Sequence, residues 1–354
     1  MSLSPASRRL LLRHCLYLLP LLALAASTIV CCQREQRLRN KLETMPLRDD
    51  LRKETVLELP EASGIARILD KSHLLYAADS DLILYNFRDS TVERVLSGHT
   101  GTLWALDISP DGKKAVSGAS DGTIRVWDAR NGALQAVSEA LDTLDQPSWT
   151  LMMDVCFTYN GKHILTADMG GVKKWRARDC RLLEDHAADL FYMRPGCVSP
   201  DGKTCCAPTL PDGFELMDLT GNVLYAKTDP CDYLCYSPEG SHLLCTDPKK
   251  GAMYNLNVTR ILRKDGTFSL TPFLGDDAPM IAAVFSHDCK QLVSLAEDGS
   301  VYVWNAQTGS LRETFRTGEK DLTGVSISPD GNWILAYSGY SHRFHIWGPP
   351  HWII

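Results

Sequence analysis

The sequence predicts an all-β fold, a seven-bladed β-propeller whose blades are four-stranded antiparallel sheets. Two observations predict it. A Ser-Pro-Asp-Gly turn occurs three times and recurs in four degenerate forms, with 38 to 49 residues between successive copies. Seven equal units would each hold 43 of the residues from 54 to 354, and a period of about 40 to 45 residues with four strands per unit is typical of propellers. The copies begin at Leu69, Ser109, Thr158, Ser199, Ser237, Ser286 and Ser328.

Each copy has the residues of a tight turn between two antiparallel strands. In Ser109–Gly112, the proline suits the start of the turn and the glycine tolerates the positive φ that ends it. The last unit ends with Arg343–Trp347 as a third strand, after which Gly348-Pro349-Pro350 stops it. We expect Thr55–Leu59, an unassigned strand of alternating polarity, to supply the missing fourth strand and so to close the ring without open edges.

The second unit resembles the WD repeat. Gly98-His99 precedes its turn, and Ser117-Gly118-Ala119-Ser120-Asp121-Gly122-Thr123-Ile124-Arg125-Val126-Trp127-Asp128 follows it. The resemblance to the WD-repeat family extends over residues 54–354. It implies that His99, Ser117, Asp121 and Trp127 form a hydrogen-bonded chain that locks the blade, since buried polar groups must be paired. Other units keep only parts of this set, including Trp175, Trp304 and Trp347.

The N-terminus predicts a membrane or export signal. Residues 15–32 carry no charge and follow Arg8, Arg9 and Arg13, which is the layout of a signal peptide. Their length of 18 residues approaches a bilayer span, so residues 1–32 form either a cleaved signal or an uncleaved hydrophobic anchor helix. Residues 33–53 are charged and predict a short stalk. We expect a membrane-anchored or exported protein with its propeller on the extracytoplasmic side.

The composition argues against several classes of function. Lys and Arg total 37 against 43 Asp and Glu, a formal net charge of −6, which gives no support for nucleic-acid binding. The twelve cysteines show no zinc-ligand spacing, and we expect most of them to be small buried hydrophobic residues, or a few to pair if the compartment is oxidising. We predict no metal site, no cofactor and no small-molecule substrate.

Three patterns that could indicate chemistry have structural explanations. Gly118–Gly122 matches a GxSxG nucleophile motif, but it joins two strands and lacks the strand-to-helix elbow which that chemistry needs. Asp79-Ser80-Asp81 matches a DxD metal motif, yet it lies where a turn is expected. His342, His345 and His351 are close in sequence without a metalloprotease context. We therefore predict no catalysis; the alternative is an exported propeller enzyme with a site in the central channel.

The expected function is a membrane-associated scaffold that binds other proteins. Its contact surface would be the rim where the loops entering each blade and the turns between second and third strands emerge. Exposed aromatic side chains are good interface anchors. The candidates are Trp149, Tyr192, Tyr233, Phe273 and Tyr340.

A second resemblance concerns residues 115–130, which end in Trp127-Asp128-Ala129-Arg130. They are similar to the box by which some WD-repeat proteins dock onto the adaptor of a cullin ubiquitin ligase. That resemblance implies, as an alternative function, a substrate receptor in which Arg130 contacts the adaptor. The other explanation is that these residues belong to an ordinary repeat.

Overall fold

The computed structural model describes residues 54–59, 61–139, 154–168, 171–187, 198–208, 213–227, 234–247, 252–257, 271–274 and 278–349. These residues form 27 β-strands and no helix, and none of their elements is a helix that could cross a membrane. The hydrophobic helix predicted at residues 15–32 and the stalk predicted at 33–53 lie outside this set, so the structure gives the predicted helix no support.

The strands form seven sheets, each built mainly from consecutive strands. After β1 (Glu54–Glu58), sheet 1 holds β2 (Ala66–Ile68), β3 (His73–Ala78), β4 (Asp81–Asn86) and β5 (Thr91–Leu96). Sheet 2 holds β6 (Leu103–Ile108), β7 (Lys114–Ala119), β8 (Ile124–Asp128) and β9 (Leu134–Val137). Sheet 3 holds β10 (Asp154–Phe157), β11 (His163–Asp168), β12 (Gly171–Arg176) and β13 (Arg181–Ala187).

Sheet 4 is smaller than the others. It holds β14 (Thr204–Pro208), β15 (Phe214–Asp218) and β16 (Val223–Lys227). Sheet 5 holds β17 (Leu234–Tyr236), β18 (His242–Asp247), β19 (Ala252–Asn257) and β20 (Thr271–Leu274). Sheet 6 holds β21 (Met280–Phe285), β22 (Gln291–Ala296), β23 (Ser300–Asn305) and β24 (Leu311–Arg316). Sheet 7 holds β25 (Gly324–Ile327), β26 (Ile334–Tyr337), β27 (Arg343–Trp347) and β1.

The prediction of seven four-stranded blades is wrong. Six sheets have the four strands of a complete blade, whereas sheet 4 has three. Among the described residues before the turn at Ser199-Pro200, Val198 pairs through a single bridge to Cys205, and residues 188–197 lie outside the described part of the chain. The turn spacing marks a repeat at this position, but a turn signal alone does not guarantee a paired strand before it. In the part of the chain that the structure describes, the propeller therefore has six complete blades.

The turns have the backbone geometry that their residues predict. The Gly112 N–H donates to the Ser109 carbonyl oxygen at 2.8 Å, and Gly112 has a φ of 67°. In sheet 6, Cys289 takes the position of this glycine with a φ of 57°. This is a conformation that side chains other than glycine adopt at a cost.

The hydrophobic core lies between neighbouring sheets. Leu75 and Leu84 of sheet 1 pack with Trp127 of sheet 2 in one buried cluster. Tyr76 of sheet 1 packs with Phe344 of sheet 7 in another, with their ring centroids 6.1 Å apart. Each sheet thus depends on its neighbours for burial of its faces.

Sheet 7 joins the two ends of the described chain. β1 pairs antiparallel with β27, from Glu54 opposite Trp347 to Glu58 opposite Arg343. The sequence predicts this pairing for residues 55–59, and the observed strand begins and ends one residue earlier. The Glu54 carboxylate contacts Nδ1 of the buried His345 at 2.7 Å, and Arg343 forms ion pairs with Glu58 at 3.2 Å and with Glu319.

Connectivity gives the propeller two different faces. The loops that lead into each sheet and the turns between second and third strands emerge on one face, which we call the upper face. The turns between first and second strands and between third and fourth strands emerge on the other, the lower face.

Candidate functional site

The first strands of the sheets line a central channel of about 480 Å³, a volume within the range of ligand sites. At its lower end the channel is bordered by prolines of the first turns, Pro110, Pro200, Pro238 and Pro329. Tyr159 and His287 take the equivalent positions in sheets 3 and 6 and stack with their ring centroids 4.9 Å apart. These rings narrow the lower end, so the upper end is the natural side for a partner to approach.

Trp104 is the aromatic side chain at the upper mouth of the channel. The β6–β7 register passes from Leu103 opposite Ala119 to Ala105 opposite Gly118, so Trp104 is the extra residue of a β-bulge. Bulges re-aim a side chain, and Trp104 is 47% exposed while lining the channel. Exposed indoles are enriched among the residues that dominate protein interfaces, which makes Trp104 the strongest candidate contact residue.

Tyr340 is a second exposed aromatic residue on the upper face, 80% exposed in the turn between β26 and β27. The Ser338 hydroxyl oxygen accepts the N–H groups of Tyr340 and Ser341, each at 3.0 Å. The turn also lies against the loop that enters sheet 1, since a Cβ on Gly64 would be 2.8 Å from the Gly339 Cα. The tyrosine is therefore displayed from a fixed backbone.

Two ionisable groups of the channel interior, the Asp107 carboxylate and the Cys156 thiol, have surroundings that limit their reactivity. The Asp107 carboxylate accepts the Phe157 N–H at 2.7 Å, which links sheets 2 and 3. Burial raises the pKa of Asp107, while the Arg67 guanidinium and backbone hydrogen bonds oppose this rise. Burial also raises the pKa of the Cys156 thiol, with further contributions from Asp154 and Asp107. A thiol in this environment stays protonated and is a poor nucleophile.

No metal centre is found in the part of the chain that the structure describes: its His, Cys, Asp and Glu residues form no group of three or more that could hold an ion. His345 binds Glu54, and His342 Nδ1 lies 2.9 Å from the Ala62 carbonyl oxygen. His351 lies outside the described residues. Asp79 is in the β3–β4 turn with a φ of 52° and accepts the Thr102 hydroxyl at 3.1 Å.

The structure brings together the four residues that the resemblance assigns to blade locking. Nδ1 of His99 lies 2.9 Å from the Asp121 carboxylate, and Nε2 lies 2.8 Å from the Ser117 hydroxyl. The Trp127 indole N–H donates to the same hydroxyl at 2.8 Å. A neutral imidazole that donates to Asp121 accepts at its other nitrogen, so the Ser117 hydroxyl donates to His99 and accepts from Trp127. Asp121 is also part of the GxSxG-like segment Gly118–Gly122, which runs from the end of β7 into the β7–β8 turn.

Protonation of His99 is expected to weaken this network. Burial lowers the pKa of His99, although the Asp121 carboxylate acts in the opposite direction. Burial raises the pKa of Asp121, but hydrogen bonds from Thr100, Thr123 and His99 outweigh burial and lower it overall. The unfolded chain therefore binds a proton at His99 more readily than the folded chain does, and folding stability falls as the pH drops below the unfolded value of 6.5.

We predict that the melting temperature falls between about pH 7.5 and pH 5.5 and that His99→Gln flattens part of this dependence. Burial also lowers the pKa values of His163 and His287. These two histidines should therefore account for the pH dependence of the melting temperature that remains in the His99→Gln variant. Circular dichroism melts of both proteins across this range measure the difference. Parallel pH profiles for the two proteins would contradict the assignment to His99.

The remaining predicted contact residues lie in different places. Trp149, Tyr192 and Tyr233 are outside the described residues. Phe273 lies within the strand β20, where its backbone pairs with Met253. Arg130 is exposed in the β8–β9 turn on the lower face, and its N–H donates to the Asp128 carboxylate at 3.0 Å.

Trp104 was missed by reasoning from the sequence. The bulge that exposes it leaves no sequence signal, because Leu103-Trp104-Ala105-Leu106 reads as a continuous buried strand. Only the pairing register shows that the indole leaves the core.

Comparison with known proteins finds repeat and fold similarities. Three segments, residues 90–128, 269–305 and 309–348, match the family model described as "WD domain, G-beta repeat". The structure is similar to that of the Cps50 (Swd1) β-propeller domain from Myceliophteria thermophila, with a TM-score of 0.60 and 14% sequence identity. The match covers 83% of this chain and 99% of that one. At this identity the similarity concerns the fold alone.

Proposed function

We propose that this chain, a member of the WD-repeat β-propeller family, is a scaffold that binds a partner protein through its upper face and catalyses no reaction itself. WD40 propellers are protein-interaction scaffolds, and the repeats indicate this class. The observation that carries the choice of face is the exposure of Trp104 beside the mouth of the channel. The uncharged run at residues 15–32 supports a further part of the proposal, attachment to a membrane.

The rigidity of the upper face favours binding. Trp104 is carried by a strand of a complete blade, and Tyr340 by a turn in which its N–H donates to the Ser338 hydroxyl. An aromatic side chain has only two rotatable χ angles, so on a fixed backbone it loses little conformational entropy when a partner covers it. Their indole and phenol groups bury a large apolar area and still offer a polar donor.

Replacement of Trp104 and Tyr340 by Ala is predicted to weaken partner capture by at least about tenfold, in line with the cost of removing interface anchors. A photo-crosslinking residue placed at position 104 or 340 is expected to capture a discrete partner. The same residue at Arg178, which is exposed on the lower face, serves as the control. Because neither aromatic side chain fills the core, the melting temperature of the double variant should stay unchanged.

Equal capture from positions 104, 340 and 178, or full capture by the double Ala variant, would show that the upper face is not the contact surface. Capture from the lower-face position alone would instead favour the interface that includes Arg130.

A further inference from the structure

In the loops and turns that the structure describes, the two faces of the propeller differ in charge. In the described turns between second and third strands of the upper face, the acidic residues are Asp79, Asp121, Glu297 and Asp298. In the described loops that lead into the sheets, they are Glu61, Glu139, Glu319 and Asp321. Against these eight carboxylates, the same loops and turns hold one basic residue, Lys320.

The lower face supplies the internal comparison. Its described turns hold eight Asp or Glu residues and eight Lys or Arg residues. Several are neighbours within one turn, such as Lys203 and Asp201, whose charged atoms are 2.8 Å apart. The charge of the upper face is therefore a property of that face and does not follow from the net charge of −6 alone.

Some of these carboxylates take part in hydrogen bonds or ion pairs within the protein, and others do not. Asp121 belongs to the blade-locking network and Glu319 pairs with Arg343. Glu61, Glu139 and Glu297, by contrast, are exposed, and the described structure gives their carboxylates no hydrogen bond or ion pair. Glu61 and Glu139 lie in the loops that lead into sheets 1 and 3, and Glu297 lies in the β22–β23 turn of sheet 6, so they occupy three separate positions on the upper face. Carboxylates so placed create a negative potential over the surface that carries Trp104.

From this asymmetry, together with the exposed Trp104 at the mouth, we infer that the partner docks a segment rich in lysine or arginine onto the upper face. The inference rests on the proposed function and adds the chemistry of the partner. Complementary charge on the partner speeds association and sets orientation. The indole face of Trp104 can hold a cationic side chain through a cation–π interaction. An acidic or neutral segment would not make this interaction.

The same charge argues against two other kinds of partner. Nucleic acids and anionic lipid surfaces are both negatively charged and bind proteins through basic patches. The upper face would repel them. A basic protein segment is the partner class that satisfies both the charge and the aromatic residue.

The test uses the full chain and two fluorescein-labelled peptides, one alternating Lys and Gly and the other alternating Glu and Gly. Fluorescence anisotropy should show binding of the lysine peptide only, weakening as KCl screens the charges. The triple variant Glu61→Gln, Glu139→Gln, Glu297→Gln should bind the lysine peptide about tenfold more weakly, since each exposed pair contributes modestly.

A matched variant removes the same number of charges from the lower face. Asp111→Asn, Asp201→Asn, Asp288→Asn keeps the turns intact, because Asn160 already fills this position and accepts the Lys162 N–H at 2.9 Å. Its affinity for the lysine peptide should stay within about twofold of the unaltered chain. Equal losses in both triple variants, or equal binding of the two peptides, would overturn the inference.

These outcomes are separable from failure of the proposed function. If crosslinking at position 104 captures a partner whose contact segment is not basic, and the upper-face triple variant captures it equally well, the scaffold function stands and the charge inference falls. If no partner is captured at 104 or 340, the proposed function itself is wrong.

Discussion

Deletion of residues 1–58, which removes β1, is expected to cost the propeller several kcal/mol, a large fraction of the roughly 5–15 kcal/mol that stabilises an ordinary domain. β27 would lose all five of its residue pairs with β1 and become an open edge. Leu57, which packs against the cluster that contains Phe344 and Ile346, would be lost as well. Open strand edges also promote aggregation, so part of the deleted protein should be insoluble.

The matched control is a deletion that ends at residue 53 and keeps β1. Urea unfolding followed by circular dichroism compares the two proteins, and the shorter deletion should retain a cooperative transition at a higher midpoint. Coincident unfolding curves would mean that β1 contributes nothing to closure. A milder change, Glu54→Gln, weakens the contact with His345 and should lower the midpoint only slightly.

Ser117→Ala is expected to have the second largest effect, a loss of about 2–6 kcal/mol, because it leaves two buried polar groups unpaired at a cost of about 1–3 kcal/mol each. The Ser117 hydroxyl is fully buried and serves two partners, Trp127 and His99. The substitution removes the hydrogen-bond partner of both the Trp127 indole N–H and the His99 imidazole Nε2. The free energy of unfolding from urea titration measures the loss.

Sheet 6 provides the control for this prediction. Ser294 is equally buried, and its hydroxyl accepts the Trp304 indole N–H at 2.9 Å. That unit has no histidine in the place of His99, so Ser294→Ala should cost about half as much as Ser117→Ala. If the two substitutions cost the same, His99 adds nothing to the network.

Local chemistry explains which features could be predicted from the sequence. The tight turns depend on neighbouring residues, and Ser109–Gly112 forms the expected bond. The network of His99, Ser117, Asp121 and Trp127 could be predicted because all four residues belong to one repeat with a complete motif. The WD-repeat resemblance, which rested on these residues, is confirmed by the three matching segments. All of these signals are local, and they act over fewer than fifty residues.

Features that depend on pairing between strands escaped prediction. In sheet 4, the described residues before the turn form only a single bridge at Val198, although that turn has a complete motif. The exposure of Trp104 follows from a one-residue shift in register. Phe273, predicted as a rim contact residue, has its backbone in β20, and its contact role stays a prediction. Backbone register and burial decide these cases, and a single sequence carries little information about either.

The position of the closing strand has a consequence for biosynthesis. Glu54 and His345, which meet in sheet 7, are separated by 291 positions along the chain, so a ribosome makes β1 first and its partner β27 last. Throughout translation the early blades lack a neighbour on one side, and β1 has no strand with which to pair. Because such distant contacts form slowly, the nascent ring must remain incomplete until its final turn has left the exit tunnel, and a chaperone that shields strand edges would act during this interval.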